Sequence, residues 1–242
     1  RHSMTQRKTA LVTGAGRGIG RAVALALAGI GYEIALTART ESELADAAAA
    51  IRSKGGIAEV FPCDLTEQGA IKQLANAVQE KFSPLDLLVN NAGSAVFKPV
   101  WELSAEDWLH SLTINLTAAF LLTRAFLPQM MTRRQGRIIN ISSVTGLKAI
   151  DGQAAYCAAK HGLNGFTKSL ALELRPYNIA VHAVCPGGVD TQMSRDAMPH
   201  RDKTGWMTPE DVAQTVLYLV SLSPRTAIDF VTMRRFDSEP LA

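Results

Sequence analysis

Short runs of aliphatic and β-branched residues alternate along this chain with longer stretches whose apolar residues return every three or four positions. "TALVTG", "YEIALTA", "IAEVFPC" and "LDLLVNN" are the short runs; "RAVALALAGI", "ESELADAAAAIRSK" and "TEQGAIKQLANAVQEKF" lie between them. A strand that is apolar on both faces and is followed by an amphipathic helix belongs inside a parallel sheet. Gly31 and Gly55-Gly56 punctuate the units. The rhythm continues with a long helix over Ser104 to Met131, a strand at "RIINISS", a helix from Gln153 to Arg175, a strand at "IAVHAVCPG", a helix from Pro209 to Leu222 and "AIDFVTM". The pattern predicts an α/β chain with a doubly wound parallel sheet of about seven strands. Residues 190–207 are its main irregular excursion. They leave a strand end, where open sheets bind ligands, and are expected to form a substrate loop.

The 242 residues suit one core. Residues 5–242 read as a single domain, and "RHSM" at 1–4 reads as an expression remnant ending in the start Met. A 47% hydrophobic and 19% charged composition excludes a disordered chain. The net charge of +3 is scattered, with no basic run interleaved with aromatics, so no nucleic-acid partner is expected. Cys63, Cys157 and Cys185 show neither metal-ligand spacing nor disulfide density, which points to a reducing, cytoplasmic setting and to no metal site. Apolar runs such as "TAAFLL" read as too short to span a bilayer, so no membrane insertion is expected.

"TALVTGAGRGIGRAVALAL" places a strand, a glycine-rich turn and a helix in immediate succession. Gly14, Gly16, Gly18 and Gly20 permit a tight path, and the free amides where the helix begins at Ile19 can receive a pyrophosphate. Where an NAD-binding chain often carries an acid, "ALTART" offers Arg39. Arg39 and Arg17 have the planar donors that suit the additional phosphate of NADP(H). Tyr156 and Lys160, in "YCAAK", fall one helical turn apart on the same face.

With Gly14, Gly18 and Gly20 in a Gly-x-x-x-Gly-x-Gly arrangement, then "CDL", "NNAG", Asn115, "ISS", "YCAAK" and "PGG" in order, the chain resembles the short-chain dehydrogenase/reductase family, and within it the 3-oxoacyl-carrier-protein reductases. The likeness spans nearly the whole chain and implies a single-domain Rossmann fold binding NADP(H). It implies that Asp64 and Leu65 meet the adenine, that Asn91, Ala92 and Gly93 lie beside the adenosine with Asn90 shaping the site, and that Pro186, Gly187, Val189 and Thr191 border the nicotinamide. Ser143 would donate to the carbonyl oxygen and Tyr156 would give the proton. Lys160 would stabilise the phenolate and hold the nicotinamide ribose, while Asn115 would organise a water relay through its side chain or helix backbone. Ser142 would support this set, Asp190 would stand apart from acid/base chemistry, and His182 would be a packing residue. Ser94, Ala95, Val96 and Thr145, with Leu147, Gln153 and Met193, would flank a small carbonyl or alcohol substrate, free or carrier-linked.

The implied activity is NADPH-dependent reduction of a ketone or aldehyde, with a 3-oxoacyl thioester as one candidate. Two alternatives are a dehydrogenase of a small alcohol, sugar or steroid, and a noncatalytic coenzyme-binding regulator or scaffold. A homodimer or homotetramer is implied as well. The ending "AIDFVTMRRFDSEPLA" departs from the family pattern by lacking its glycine-rich close.

Overall fold

The computed structural model describes residues 7–240; the expected remnant at 1–4 lies outside them. Seven strands form one sheet: β1 (Thr9–Thr13), β2 (Glu33–Ala38), β3 (Ile57–Pro62), β4 (Leu87–Asn90), β5 (Gly136–Ile141), β6 (Ile179–Pro186) and β7 (Phe230–Met233). Their order is β3-β2-β1-β4-β5-β6-β7, and every pairing is parallel. The chain winds outward from β1 to β3, then returns to place β4 on the other side of β1. The strand order therefore reverses between β1 and β4, and a crevice opens beyond their C-terminal ends.

Period-two alternation divides the core. Ala10 and Val12 of β1, with Leu87 and Val89 of β4, face α1 (Gly18–Gly29), α2 (Glu41–Arg52) and a later helix at Pro209–Ser221. Leu11 and Leu88 face the opposite layer, made by α3 (Gln68–Lys81) and two long helices described next.

The helix expected over Ser104 to Met131 is continuous but not uniform. It runs as α4 (Ala105–Leu112), a π turn (Thr113–Thr117) and α5 (Ala118–Arg133), with the Ala118 amide donating to the Thr113 carbonyl. At 29 residues, with a mean hydropathy of 1.2 over its most apolar stretch, it is by length and composition long enough to cross a membrane, contrary to the reading of short apolar runs. Its hydropathy has an internal use: Ala118, Leu122, Phe126 and Met130 pack into the sheet layer. Beside it lies α6 (Ala154–Leu174).

The excursion at 190–207 contains a short helix, α7 (Gln192–Ala197), before α8 (Pro209–Ser221). Its neck is closed by the Asp190 amide donating to the Met207 carbonyl at 2.8 Å and the Met207 amide to Gly188 at 3.2 Å. The segment is thus a tied loop with helical content.

Candidate functional site

The turn after β1 is built for close approach. Gly14 and Gly18 hold φ of +63° and +54°, a region costly for residues with a Cβ. Asn91, just past β4, fastens the turn: its Nδ2 donates to the carbonyls of Thr13 (2.9 Å) and Gly14 (3.4 Å), while Thr13 Oγ1 accepts from the Asn91 and Ala92 amides at 2.9 Å. Behind it Asn90 donates to Asn140 Oδ1 (2.9 Å) and Thr123 Oγ1 (3.3 Å), tying β4 to β5 and α5. The first α1 amides therefore open onto a cavity of about 210 Å³.

That cavity is lined by Gly14, Gly16, Arg17, Gly18 and Ile19 at one end and by Asn115, Tyr156 and Lys160 at the other. Arg39, Asp64, Leu65 and the Asn91–Gly93 backbone lie between. Gly20 is behind the turn, not on the cavity wall. Two bonds from Thr66, its amide at 2.9 Å and its hydroxyl at 2.8 Å, both reach Asp64 Oδ1 and hold that carboxyl below the usual range. Glu43, absent from the sequence expectation, also lines the cavity and stands 3.6 Å from Arg17 Nη1. With Arg17's side chain 59% exposed, this pair is weak enough for an incoming phosphate to replace.

A second cavity, about 520 Å³, joins the first at Tyr156, Ser142, Thr191 and Met193. Ser143, Thr145 and Gln153 line it, as do Ala95, Pro186, Gly187 and Val189. Ser94 belongs to the first cavity, whereas Val96 and Leu147 line neither, and Leu147 is exposed. Phe97 was missed: its ring meets Tyr156 edge-on, with centroids 5.7 Å apart. Met198, Arg201 and Trp206 of the excursion were likewise not foreseen individually, nor were Arg234 and Arg235 beyond β7.

Tyr156 and Lys160 project one turn apart from α6. Burial pushes the Tyr156 phenol up to about 12, opposed by the neighbouring Ser143 hydroxyl. Burial pushes Lys160 down to about 8. Its Nζ donates to the Ile141 carbonyl at 2.9 Å and lies 5.5 Å from the Tyr156 ring centre. Ser143 Oγ accepts from the Thr145 amide at 3.1 Å and donates to Thr145 Oγ1 at 3.0 Å, which fixes the turn that presents it.

The Asn115 side chain is fully engaged elsewhere. Nδ2 donates to the Ser94 and Ser111 carbonyls at 2.9 and 3.0 Å, and Oδ1 accepts from the Ser94 amide at 3.3 Å. By donating to Ser111, one turn back, the side chain occupies the carbonyl that an α-helical Asn115 amide would use, at the point where the helix widens into its π turn. Of the two relay arrangements expected, the backbone one is compatible with this geometry.

Asp190 lines neither cavity. Arg195 grips both its oxygens at 2.9 and 3.0 Å. His182 is committed to packing, with Nδ1 2.6 Å from the Ile228 carbonyl and Nε2 2.6 Å from Arg137 Nη1. Among the described residues no cluster of His, Cys, Asp and Glu has the makings of a metal site.

The reversal of strand order, the glycine turn and the Tyr156–Lys160 pair define an α/β protein with a dinucleotide-type crevice opening onto a substrate-sized cavity. Residues 8–202 match the family model for short chain dehydrogenases, and the chain belongs to that family. It is 39% identical over 220 residues to a 3-oxoacyl-[acyl-carrier-protein] reductase of Synechocystis sp., covering 88% of this chain and 89% of that one. It is 35% identical over 244 residues to a 3beta-hydroxysteroid dehydrogenase of Mediterraneibacter gnavus, covering 88% of each. A metagenomic short-chain oxidoreductase solved in complex with NADP superposes with a TM-score of 0.84 at 36% identity, covering 96% of this chain and 98% of that one.

Lys160 gives the site a pH signature. Its ammonium is lost as pH rises through about 8, so coenzyme affinity measured by titration should fall above about pH 8. Stability should move oppositely. The folded pKa lies below the ordinary 10.5, so between those values the unfolded chain holds more protons and this group's contribution to stability rises with pH. Parallel losses of affinity and stability in that window would contradict the assignment.

Proposed function

We propose that the protein is an NADPH-dependent reductase of ketone or aldehyde carbonyls. The observation that carries this reading is the junction itself: Tyr156, with the Lys160 ammonium over its ring, stands where a phosphate-ready crevice meets a second cavity lined by Ser143.

The crevice suits NADP(H). Gly14 and Gly18 hold a left-handed backbone that a side chain would strain, and a Cβ on Gly16 would stand 2.8 Å from Glu43 Cβ. The α1 amides are available to a pyrophosphate, and Arg17 and Arg39 offer guanidinium donors at the adenosine end. Asp64 Oδ2, free of donors among the described residues, can accept from an adenine amino group. Leu65, Asn91, Ala92 and Gly93 form the adenosine wall, and Pro186, Gly187, Val189 and Thr191 the nicotinamide side. When bound, the coenzyme supplies the hydride.

The remaining chemistry belongs to the side chains. Ser143 turns its hydroxyl from Thr145 to a carbonyl oxygen, and Tyr156 donates a hydrogen bond to the same oxygen. As negative charge develops there, Tyr156 releases its proton to the forming alcohol. The Lys160 ammonium lowers the cost of the phenolate and binds ribose hydroxyls. Protons return through Lys160 and the Asn115 backbone. Substrate contacts come from Ser94, Ala95, Thr145, Gln153 and Met193, with residues 190–207 acting as the substrate loop.

Carrier-linked 3-oxoacyl thioesters are the finer substrate reading. Exposed Leu109, Phe120 and Leu172 on the long helices support a homodimer, or a homotetramer built on it, and the free cysteines support a cytoplasmic enzyme. A carbonyl panel followed by NADPH absorbance tests the function; binding without turnover of any carbonyl would favour the scaffold reading. For coenzyme choice, Arg39→Ala should weaken NADPH by about tenfold or more, the scale of a charge-assisted phosphate contact, while leaving NADH affinity within about twofold. Equal losses in direct titrations would remove Arg39 from the phosphate site.

A further inference from the structure

The second cavity carries charge that carbonyl reduction alone does not require. Around an apolar body containing Phe97, Ile150 and Met198, its lining includes Lys148, Arg201, Arg234 and Arg235 against one carboxylate, Glu239. Four cations face a single carboxylate, so the lining is net positive. Low-dielectric walls strengthen their combined field.

The fold holds this basic wall in place. Arg234 Nη1 donates to the Arg235 carbonyl at 3.1 Å, to Phe236 at 3.0 Å and to Ser238, fastening the turn after β7. Arg235 lies 5.7 Å from the Trp206 ring centre. Trp206 in turn leans on Gly188, where an added Cβ would stand 3.0 Å from Cε3. A guanidinium stacked in this way is pre-organised for a carboxylate or phosphate. Among the described residues the one carboxylate within 4.0 Å of it, that of Asp237, is 3.7 Å away and 64% exposed, so water screens that pair. Arg201 and Lys148 have no carboxylate within 4.0 Å among the described residues.

We propose that this cavity selects carbonyl compounds bearing an anionic group, a carboxylate or a phosphate, remote from the carbonyl, and that Arg201 and Arg235 receive it. The proposal rests on the reductase reading for the chemistry at Tyr156 and adds the charged end of the substrate. It gives the atypical C-terminal segment a use as a specificity wall. Arg201 and Arg235 set substrate choice; they take no part in the proton or hydride step.

The test compares an oxo acid, its methyl ester and the matching oxoalkyl phosphate with NADPH. The acid or the phosphate should exceed the ester in kcat/KM by about tenfold or more, the scale of a charge-assisted contact. That ratio should collapse in Arg201→Ala and in Arg235→Gln, the latter keeping a planar group on Trp206. Whichever anion is favoured identifies the headgroup. Parent enzyme that treats ester and anions alike, or folded variants that keep the full ratio, would overturn the proposal. The same three compounds are also titrated against Trp206 fluorescence in a chain with Trp101 and Trp108 changed to Phe. Anion-selective quenching that Arg201→Ala abolishes, with no turnover of any compound, would uphold the anion site and reject the reductase reading. Equal quenching by all three, or none, would reject the anion site.

Discussion

Tyr156→Phe should lower carbonyl turnover by about a hundredfold or more, the usual reach of a positioned general acid, while NADPH affinity and thermal stability stay near the parent values. The substitution keeps the ring, so the edge contact with Phe97 and the face beneath Lys160 survive. Only the hydroxyl is lost. Burial raises this phenol to about 12, which leaves it protonated at neutral pH, as a proton donor must be. It also means the free site resists forming a phenolate, so the Lys160 ammonium must offset that cost as the proton leaves. Lys160→Ala should therefore reduce both turnover and coenzyme affinity, a mixed defect unlike that of Tyr156→Phe. Turnover and NADPH affinity are measured on the same folded preparations. A coenzyme-saturated Tyr156→Phe protein reducing the carbonyl at the parent rate would remove Tyr156 from the proton step.

The elements carrying this chemistry were legible because each writes a local signal. Strands buried on both faces leave continuous apolar runs, and "TGAGRGIG" announces a turn that side chains would block. The π turn at Asn115 left no such mark. A single widened turn shifts helical phase by one residue, and the apolar neighbours Ile114 and Leu116 mask the shift. Nor does spacing reveal that Asn115 would spend its side chain on Ser94 and Ser111, since the Ser94 loop reaches it only through folding. The substrate cavity was the least legible part. Leu147 follows Ser143 closely in sequence, yet the turn after Ser143 carries it outward. Arg201, Trp206 and Arg235 arrive from two distant segments that have no periodic pattern. The ending read as a departure from the family is, in three dimensions, part of that wall.

Gly20→Ala should cost about 2 kcal/mol of stability, within the range for overpacking a filled site, and should weaken NADPH binding further still. Gly20 already has ordinary helical geometry, so the obstacle is space. A Cβ there would collide with the Gly14 carbonyl and stand 2.5 Å from Asn91 Nδ2. Neither can yield cheaply. One is backbone inside the turn, and the other is pinned by its bonds to Thr13 and Gly14. The start of α1 would have to move away from the turn, carrying its free amides out of register with the cradle. Gly29→Ala supplies the control from the same helix: nothing lies within 4 Å of a Cβ there, so higher helix propensity should leave it neutral or more stable by about 0.5–1 kcal/mol. Thermal melts and NADPH titrations of the two variants separate local packing from general glycine effects. Parent-like melting and affinity in Gly20→Ala would show that the close approach of Gly14 and Gly20 does not hold the phosphate turn.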